Sequence, residues 1–181
     1  MNYYGAKDLA ESFRTVRKNT ITIAEEIGEQ HYGFRPAPET RTVAQVLTHV
    51  ALAPTFQEQL HAVQRVRTLV GVDFPSIFSK MMADEQKERN KAQIVSLLRD
   101  EGERFAKILE GFSDDFLGER VAMPPGMTPA NKTRFEMLLG VKEHEMHHRG
   151  QLMIVERMLG IVPHLTREMQ ARMAAMSSAK A

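Results

Sequence analysis

The sequence predicts an all-α protein, an up-down four-helix bundle with a short C-terminal helical tail. Four long segments repeat apolar residues at the three- and four-residue spacing of one helix face, and no segment reads as a convincing strand. Three of these segments begin at residue pairs typical of a helix N-terminus. Since apolar helix faces are buried by packing against one another, we expect a bundle domain at residues 1–165 and a tail at 166–181.

The first two helices are separated by a segment rich in glycine and proline. In the first helix, apolar positions step by threes and fours over residues 9–27. The second begins at Thr42, because Gln45 three residues later completes a capping box. Pro54 falls inside this second helix. Because proline has no backbone N–H, it should bend the helix and leave the carbonyl of Val50 without its helical partner.

The third helix follows a less regular stretch. Residues 69–90 predict a loop with a short helix near residues 77–82. Asn90 and Gln93 then mark a helix N-terminus, and Gly111 ends the apolar pattern that follows.

The fourth helix follows a long connection at residues 112–132. Thr133 and Glu136 form another capping box, and the helix runs to about Leu159. A tail helix follows from Thr166. Because long loops at the end of a bundle commonly line sites, we expect both connections to shape a pocket mouth.

Composition narrows the possible functions. The chain has 24 Lys and Arg against 23 Asp and Glu, which leaves no electrostatic signature of binding to nucleic acid or to a membrane. Cysteine is absent, so any metal must be held by histidine, carboxylate or water. The N-terminus does not read as a signal peptide, and no window approaches the roughly 18 apolar residues that span a bilayer. We therefore expect a cytoplasmic protein.

Histidines on the apolar faces are the candidate functional residues. His144 and His148 lie four residues apart on the apolar face of the fourth helix, a spacing at which two imidazoles can bind one ion. His49 lies on the apolar face of the second helix. If the two helices face each other, three imidazoles converge in the pattern of a catalytic zinc site. The alternative is three core histidines without a metal, and spacing alone does not decide between the two readings.

Nearby polar residues extend the candidate site. His144 to His148 also spells H-E-x-x-H, which would make Glu145 a general base and Glu168 a third ligand of a metalloprotease. The lack of predicted strands argues against that reading. Glu101 on the third helix is a possible fourth ligand, or a residue at the rim. Gln151 lies near the face of His148, where it can contact a bound water or a substrate.

Two motifs resemble the DinB/YfiT-like family of metal-dependent four-helix proteins. One runs from Thr42 to His49 and is preceded by Phe-Arg-Pro; the other is H-x-x-x-H-R-G-Q from His144 to Gln151. The resemblance spans roughly residues 5–163 and implies a bundle in which His49, His144 and His148 bind one divalent ion, most often zinc or nickel. It also implies a homodimer. Some family members are transferases that use a low-molecular-weight thiol.

We therefore expect a metal-dependent enzyme that acts on a small-molecule substrate, either a thiol transferase or a metal-assisted hydrolase. Since the chain has no cysteine, any thiol must come from a small-molecule cofactor. Glu145 and Gln151 are the candidates for proton handling or substrate contact, and Phe74 and Met123 for apolar walls. The alternative from another class is a non-catalytic binding module that the metal stabilises. The H-E-x-x-H metalloprotease comes last.

Overall fold

The computed structural model describes residues 4–178, and these form an all-α four-helix bundle with additions at one end. The four long bundle segments begin at α1, α2, α5 and α7. The helices are α1 (Ala6–Glu26), α2 (Val43–Leu52), α3 (Pro54–Glu58), α4 (Phe74–Glu85), α5 (Lys91–Glu110), α6 (Asp114–Gly118), α7 (Arg134–Met158) and α8 (His164–Ser178). None of them is long and apolar enough to cross a membrane.

Helix termini form where the capping residues predict them. The side chains of Thr42, Asn90 and Thr133 each accept a hydrogen bond from the backbone N–H three residues later, and the backbone N–H of each capping residue donates to the side chain of that later residue. Pro54 interrupts the second segment as expected, because α2 ends at Leu52 and α3 begins at the proline. One turn of π-helix (Gln59–Val63) then closes the segment.

The bundle has a non-alternating order of directions. Arg14 of α1 pairs with Glu103 and Glu110 of α5, whereas the start of α5 lies at the end of α1, so these two helices are antiparallel. Successive contacts of α1 with α7 run in the same direction. Arg17 bridges Val50 of α2 to Leu98 of α5, and Glu58 of α3 pairs with Arg104 further along α5, so the second segment runs parallel to α5. The four-helix bundle is thus as predicted, but its directions are up, down, down and up and do not alternate as expected, because the long connection at residues 64–90 returns the chain before α5 begins.

Three apolar clusters form the core of residues 4–178, two of them along the bundle and a third, around Leu60, Leu69 and Val121, beside the strand β1 (Arg120–Ala122). Of the two along the bundle, one centres on Ile23, Leu47 and Leu98, and the other on Phe13 and Phe105. A buried ion pair between α1 and α7 lies between the two clusters in the order of residues along these helices. The polar centre of the bundle is thus enclosed by apolar packing on both sides.

Two elements differ from the sequence prediction. The connection expected at residues 112–132 contains a short antiparallel sheet of β1 (Arg120–Ala122) and β2 (Asn131–Thr133), although no strand was predicted. Three-residue strands are too short to show an alternating pattern. The predicted short helix near residues 77–82 is longer, because Asp73 caps α4 and accepts a hydrogen bond from the N–H of Ser76. The domain boundary predicted at residue 165 stays a prediction.

Candidate metal centre

Three histidines from two antiparallel helices meet at the middle of the bundle. His49 of α2 faces His144 and His148 of α7, and one ring nitrogen from each lies within 4.8 Å of the other two. The Nε2 atom of His144 lies 3.2 Å from the Nε2 of His49 and 3.2 Å from that of His148. Helix spacing predicted that His144 and His148 are neighbours, and the approach of His49 was expected only if its helix faced α7; the structure brings all three imidazoles together.

Contacts at the far side of the rings fix which nitrogen carries the proton. The Nδ1 of His49 donates to the Glu85 carboxylate at 2.7 Å, and the Nδ1 of His148 donates to Oε1 of Gln151 at 2.9 Å. The Nε2 atoms of both rings therefore present lone pairs to the shared space. The Nε2 of His144 can donate one proton, so it can satisfy only one of these two lone pairs. A divalent cation between the three rings would accept both lone pairs.

The surroundings keep the two imidazoles of α7 neutral. Burial and the neighbouring His148 and His49 together lower the pKa of His144 to about 4. Burial also lowers the pKa of His148, although the hydrogen bond to Gln151 opposes that shift. Since a ligating imidazole must be neutral, His144 and His148 are ready to bind a cation at neutral pH.

A buried arginine joins the two helices that carry the histidines. Arg17 of α1 donates from Nε to both carboxylate oxygens of Glu145, and from its terminal nitrogens to the carbonyls of Leu98 and Val50. The Val50 carbonyl is the group that Pro54 leaves without a helical partner. Val50 directly follows His49 and Glu145 directly follows His144. Arg17 thus ties the backbone of α2 to a side chain of α7 at the level of the candidate ligands.

This contact corrects the expected role of Glu145. Its side chain is 2% exposed and its oxygens are occupied by Arg17, so it does not act as a proton-handling group or as the general base of an H-E-x-x-H protease. The physical reason is angular: neighbouring helix residues differ by roughly 100°, so Glu145 points to the core when His144 points to the site. Gln151 contacts His148 as well as His147, and it orients an imidazole where a substrate contact was expected.

Other predicted ligands lie elsewhere. Glu101 pairs with Arg104, which favours the rim position over a fourth ligand. Glu168 is exposed on α8 and is absent from the histidine cluster. Glu85 was missed, because it lies in the irregular stretch before α5 and nothing in its sequence spacing relates it to His49. Only its place at the end of α4 brings it there.

A mainly apolar cavity opens beside His49 and His144. Its volume is about 480 Å³. Apolar side chains from α3, the π-helical turn, α4 and the loop after β1 form much of its wall: Phe56, Leu60, Phe78, Met81 and Met123. Met123 is therefore a wall residue as predicted, whereas Phe74 packs behind Phe56 and Phe78. A second cavity of about 390 Å³ borders His148 and Gln151 on the other side of the histidines.

Comparisons with known proteins agree with this architecture. The family model described as the DinB superfamily matches residues 12–152. A DinB-like protein from Bacillus cereus has a TM-score of 0.66 at 15% identity, covering 90% of this chain and 97% of that structure. YfiT from Bacillus subtilis, described as a probable metal-dependent hydrolase with an unusual four-helix bundle topology, has a TM-score of 0.63 at 14% identity and coverages of 86% and 88%.

A third solved structure, the DinB-like protein YjoA from Bacillus subtilis, is 22% identical with a TM-score of 0.61, covering 84% of this chain and 92% of that one. At such identities the likeness shows the fold alone. A search of curated proteins finds no significant match.

Proposed function

This chain belongs to the DinB superfamily, and on that premise we propose that it is a metal-dependent hydrolase of small molecules. One observation supports the proposal above the others: three imidazoles, two of them oriented by hydrogen bonds from Nδ1, face one point beside an open, mainly apolar cavity. Three protein ligands with space for a further group are typical of catalytic sites, whereas structural sites are closed by a fourth protein ligand.

His49, His144 and His148 would hold the ion, and an all-imidazole set suits zinc or nickel. A bound divalent ion supplies Lewis acidity, which activates water for nucleophilic attack near neutral pH and polarises a carbonyl or phosphoryl oxygen. Glu85 and Gln151 hold two of the imidazoles in the orientation and tautomer that ligation needs. The apolar walls of the cavity bind the substrate and exclude bulk water from it.

Thiol transfer is the second candidate. Since the chain has no cysteine, the thiol would be a small-molecule cofactor, and the cavity of about 480 Å³ beside His49 and His144 has room for part of one. The two candidates differ in whether turnover needs an added thiol. The homodimer and the cytoplasmic location predicted from the sequence stay predictions.

Metal content and turnover test the proposal together. We would purify the untagged protein and measure zinc and nickel per chain by elemental analysis. The variants would be His49→Ala, His144→Ala and His148→Ala, with His31→Ala as the control because His31 lies on a separate turn away from the cluster. About one ion per chain in the wild type and in the control, lost in each cluster variant, is expected.

The same samples would then be assayed with p-nitrophenyl esters, with and without glutathione. Hydrolysis without thiol that disappears with the ion supports the hydrolase. Turnover only with glutathione would move the proposal to thiol transfer. A wild type that neither contains nor takes up zinc or nickel would refute both.

A further inference from the structure

A chain of polar side chains outside the metal centre ends at the cavity wall. Glu119 accepts from Nε of Arg134 at 3.0 Å, and a terminal nitrogen of Arg134 lies 3.0 Å from Nδ1 of His61. Nε2 of His61 lies 2.9 Å from Oε1 of Gln57. Arg134 is 1% exposed and His61 is fully buried, yet neither has a role in the metal site. Gln57 lines the cavity that His49 and His144 border.

Only one arrangement of donors and acceptors fits this series of hydrogen bonds from Glu119 to Gln57. Arginine only donates, so Nδ1 of His61 must accept from Arg134 and carries no proton. His61 is neutral, because burial and the charge of Arg134 lower its pKa to about 4. Its single proton is therefore on Nε2, which donates to Oε1 of Gln57. The amide of Gln57 cannot be reversed, since its nitrogen would then face another donor.

The fixed orientation leaves the nitrogen of Gln57 as the free end. No group within residues 4–178 accepts a hydrogen bond from it. The one turn of π-helix that begins two residues later carries His61 and aligns it with Gln57. Glu119, Arg134 and His61 together fix the orientation of this amide. Its donor end is available and the residue lines the cavity, so Gln57 is placed to recognise an acceptor on a bound molecule.

We infer that Gln57 is a specificity-determining residue of this site, whose side-chain nitrogen donates a hydrogen bond to an uncharged oxygen of the substrate, such as a ketone or amide carbonyl. The inference rests on the proposed function. Phe56, Leu60 and Met123 line this cavity, so the part of the substrate that packs against them is apolar, whereas Lys132, Glu136 and Glu143 give β2 and α7 a charged share of the wall. The substrate class is a mainly apolar molecule with one neutral oxygen acceptor away from the reacting group.

The distance from the ligands indicates where that acceptor lies. Gln57 follows His49 by eight residues, which corresponds to about 12 Å along a helix axis, and Pro54 interrupts the helix between them. The side chain of Gln57 contacts His61, four residues further along the chain, while both Gln57 and His49 border the same cavity. The acceptor is therefore several bonds from the group at the metal, and the contact acts on binding of the substrate tail.

The test uses paired ligands that anchor at the metal. Alkyl hydroxamates bind divalent metals, and we would compare unbranched alkyl hydroxamates with the same chains carrying a ketone at carbon four, five or six. Their affinities for the zinc-loaded full chain would be measured by calorimetry. We expect one ketone position to bind about three- to tenfold tighter than its parent, the gain of one neutral hydrogen bond.

Three variants make the result specific. Gln57→Leu removes the donor, and Gln57→Glu keeps the size and the contact with His61 but offers only acceptors; in both, the ketone preference should fall to about one or below. Gln59→Leu is the control, because Gln59 lines a separate cavity, and it should keep the preference. A purely structural role for Gln57 would weaken both members of each pair equally and leave the ratio unchanged.

The outcomes separate the two proposals. If hydroxamates bind but no ketone is preferred, or if Gln57→Leu keeps the preference, the role of Gln57 is refuted and the metal site stands. If no hydroxamate binds the zinc-loaded protein, the open metal site is refuted, and the role of Gln57 falls with it.

Discussion

A buried carboxyl group at the junction of α1, α7 and α8 should make the protein less stable as the pH rises. Glu156 is fully buried, and neither of its carboxylate oxygens has a hydrogen-bond partner within residues 4–178. Burial and the neighbouring Glu26 of α1 raise its pKa to about 7, although Arg167 of α8 and Arg157 oppose the rise. The informative perturbation is Glu156→Gln, which keeps the shape and removes the charge.

The magnitude follows from the two pKa values. An unfolded glutamate loses its proton near pH 4.5, whereas folded Glu156 keeps it to about pH 7. Between these values the unfolded state binds fewer protons than the folded state, so the free energy of unfolding falls as the pH rises. At about 1.4 kcal/mol per unit, the loss is about 3 kcal/mol at pH 8 and about 1 kcal/mol at pH 5.

Urea unfolding followed by circular dichroism measures this loss. The experiment would be run in chelator at pH 5 and pH 8, on the wild type, on Glu156→Gln and on Glu143→Gln, an exposed position of the same helix. His61, His144 and His148 have lowered pKa values, so they favour the folded state as the pH rises in all three proteins. Their contribution cancels when each variant is compared with the wild type at the same pH.

Glu156→Gln should therefore gain about 2 kcal/mol relative to the wild type on going from pH 5 to pH 8. The control variant should show no such change. A difference between wild type and Glu156→Gln that is the same at both pH values would refute the reasoning, because it would mean that Glu156 titrates alike in the folded and unfolded chain.

Three further predictions concern the metal centre and its support. Glu85→Gln should weaken zinc binding about 10- to 100-fold in a chelator competition, whereas exposed Glu88→Gln should leave it unchanged. Gly102→Ala should destabilise the fold by about 1–3 kcal/mol in urea, since its methyl would lie 2.7 Å from Cγ of Arg17, while Gly150→Ala meets no atom and should be neutral or slightly stabilising. Zinc at about 100 times its dissociation constant should stabilise the wild type by about 2.7 kcal/mol in thermal unfolding and leave His49→Ala unchanged.

The sequence predicts the helices of this fold better than their directions. Periodicity and capping pairs locate the four long segments, because both depend on residues close in the chain. The parallel arrangement of α2 and α5 depends on the path of residues 64–90, and an apolar helix face is buried equally well in either direction. Sequence reasoning also misses the strands β1 and β2, since each is only three residues long and is defined by its pairing with the other.

The residues of the candidate site likewise divide into those that local spacing predicts and those that it does not. His144 and His148 are related by helix spacing, and His49 by the apolar face of its own helix, so sequence reasoning finds them. Glu85, Arg17 and Arg134 reach His49, Glu145 and His61 across distant segments, and no local pattern encodes these contacts. The mistaken role of Glu145 shows the limit of a motif: the letters H-E-x-x-H fit, but the face of the helix that carries the glutamate does not.

Arg17 and Glu145 explain why a bundle of this kind keeps a charged pair in its core. A buried ion pair adds little net stability, because desolvation offsets most of its attraction. This pair makes hydrogen bonds between helices that an apolar substitute would not make. Arg17 binds the carbonyl that Pro54 frees in α2, and it binds the residue next to His144 in α7, so it sets the axial register between the two helices that carry the imidazoles. A slip of one residue would move a helix by about 1.5 Å, enough to separate ring nitrogens that must share one ion. The proline, the arginine and the glutamate are therefore best understood together, as the support that lets three histidines on two helices act as one site.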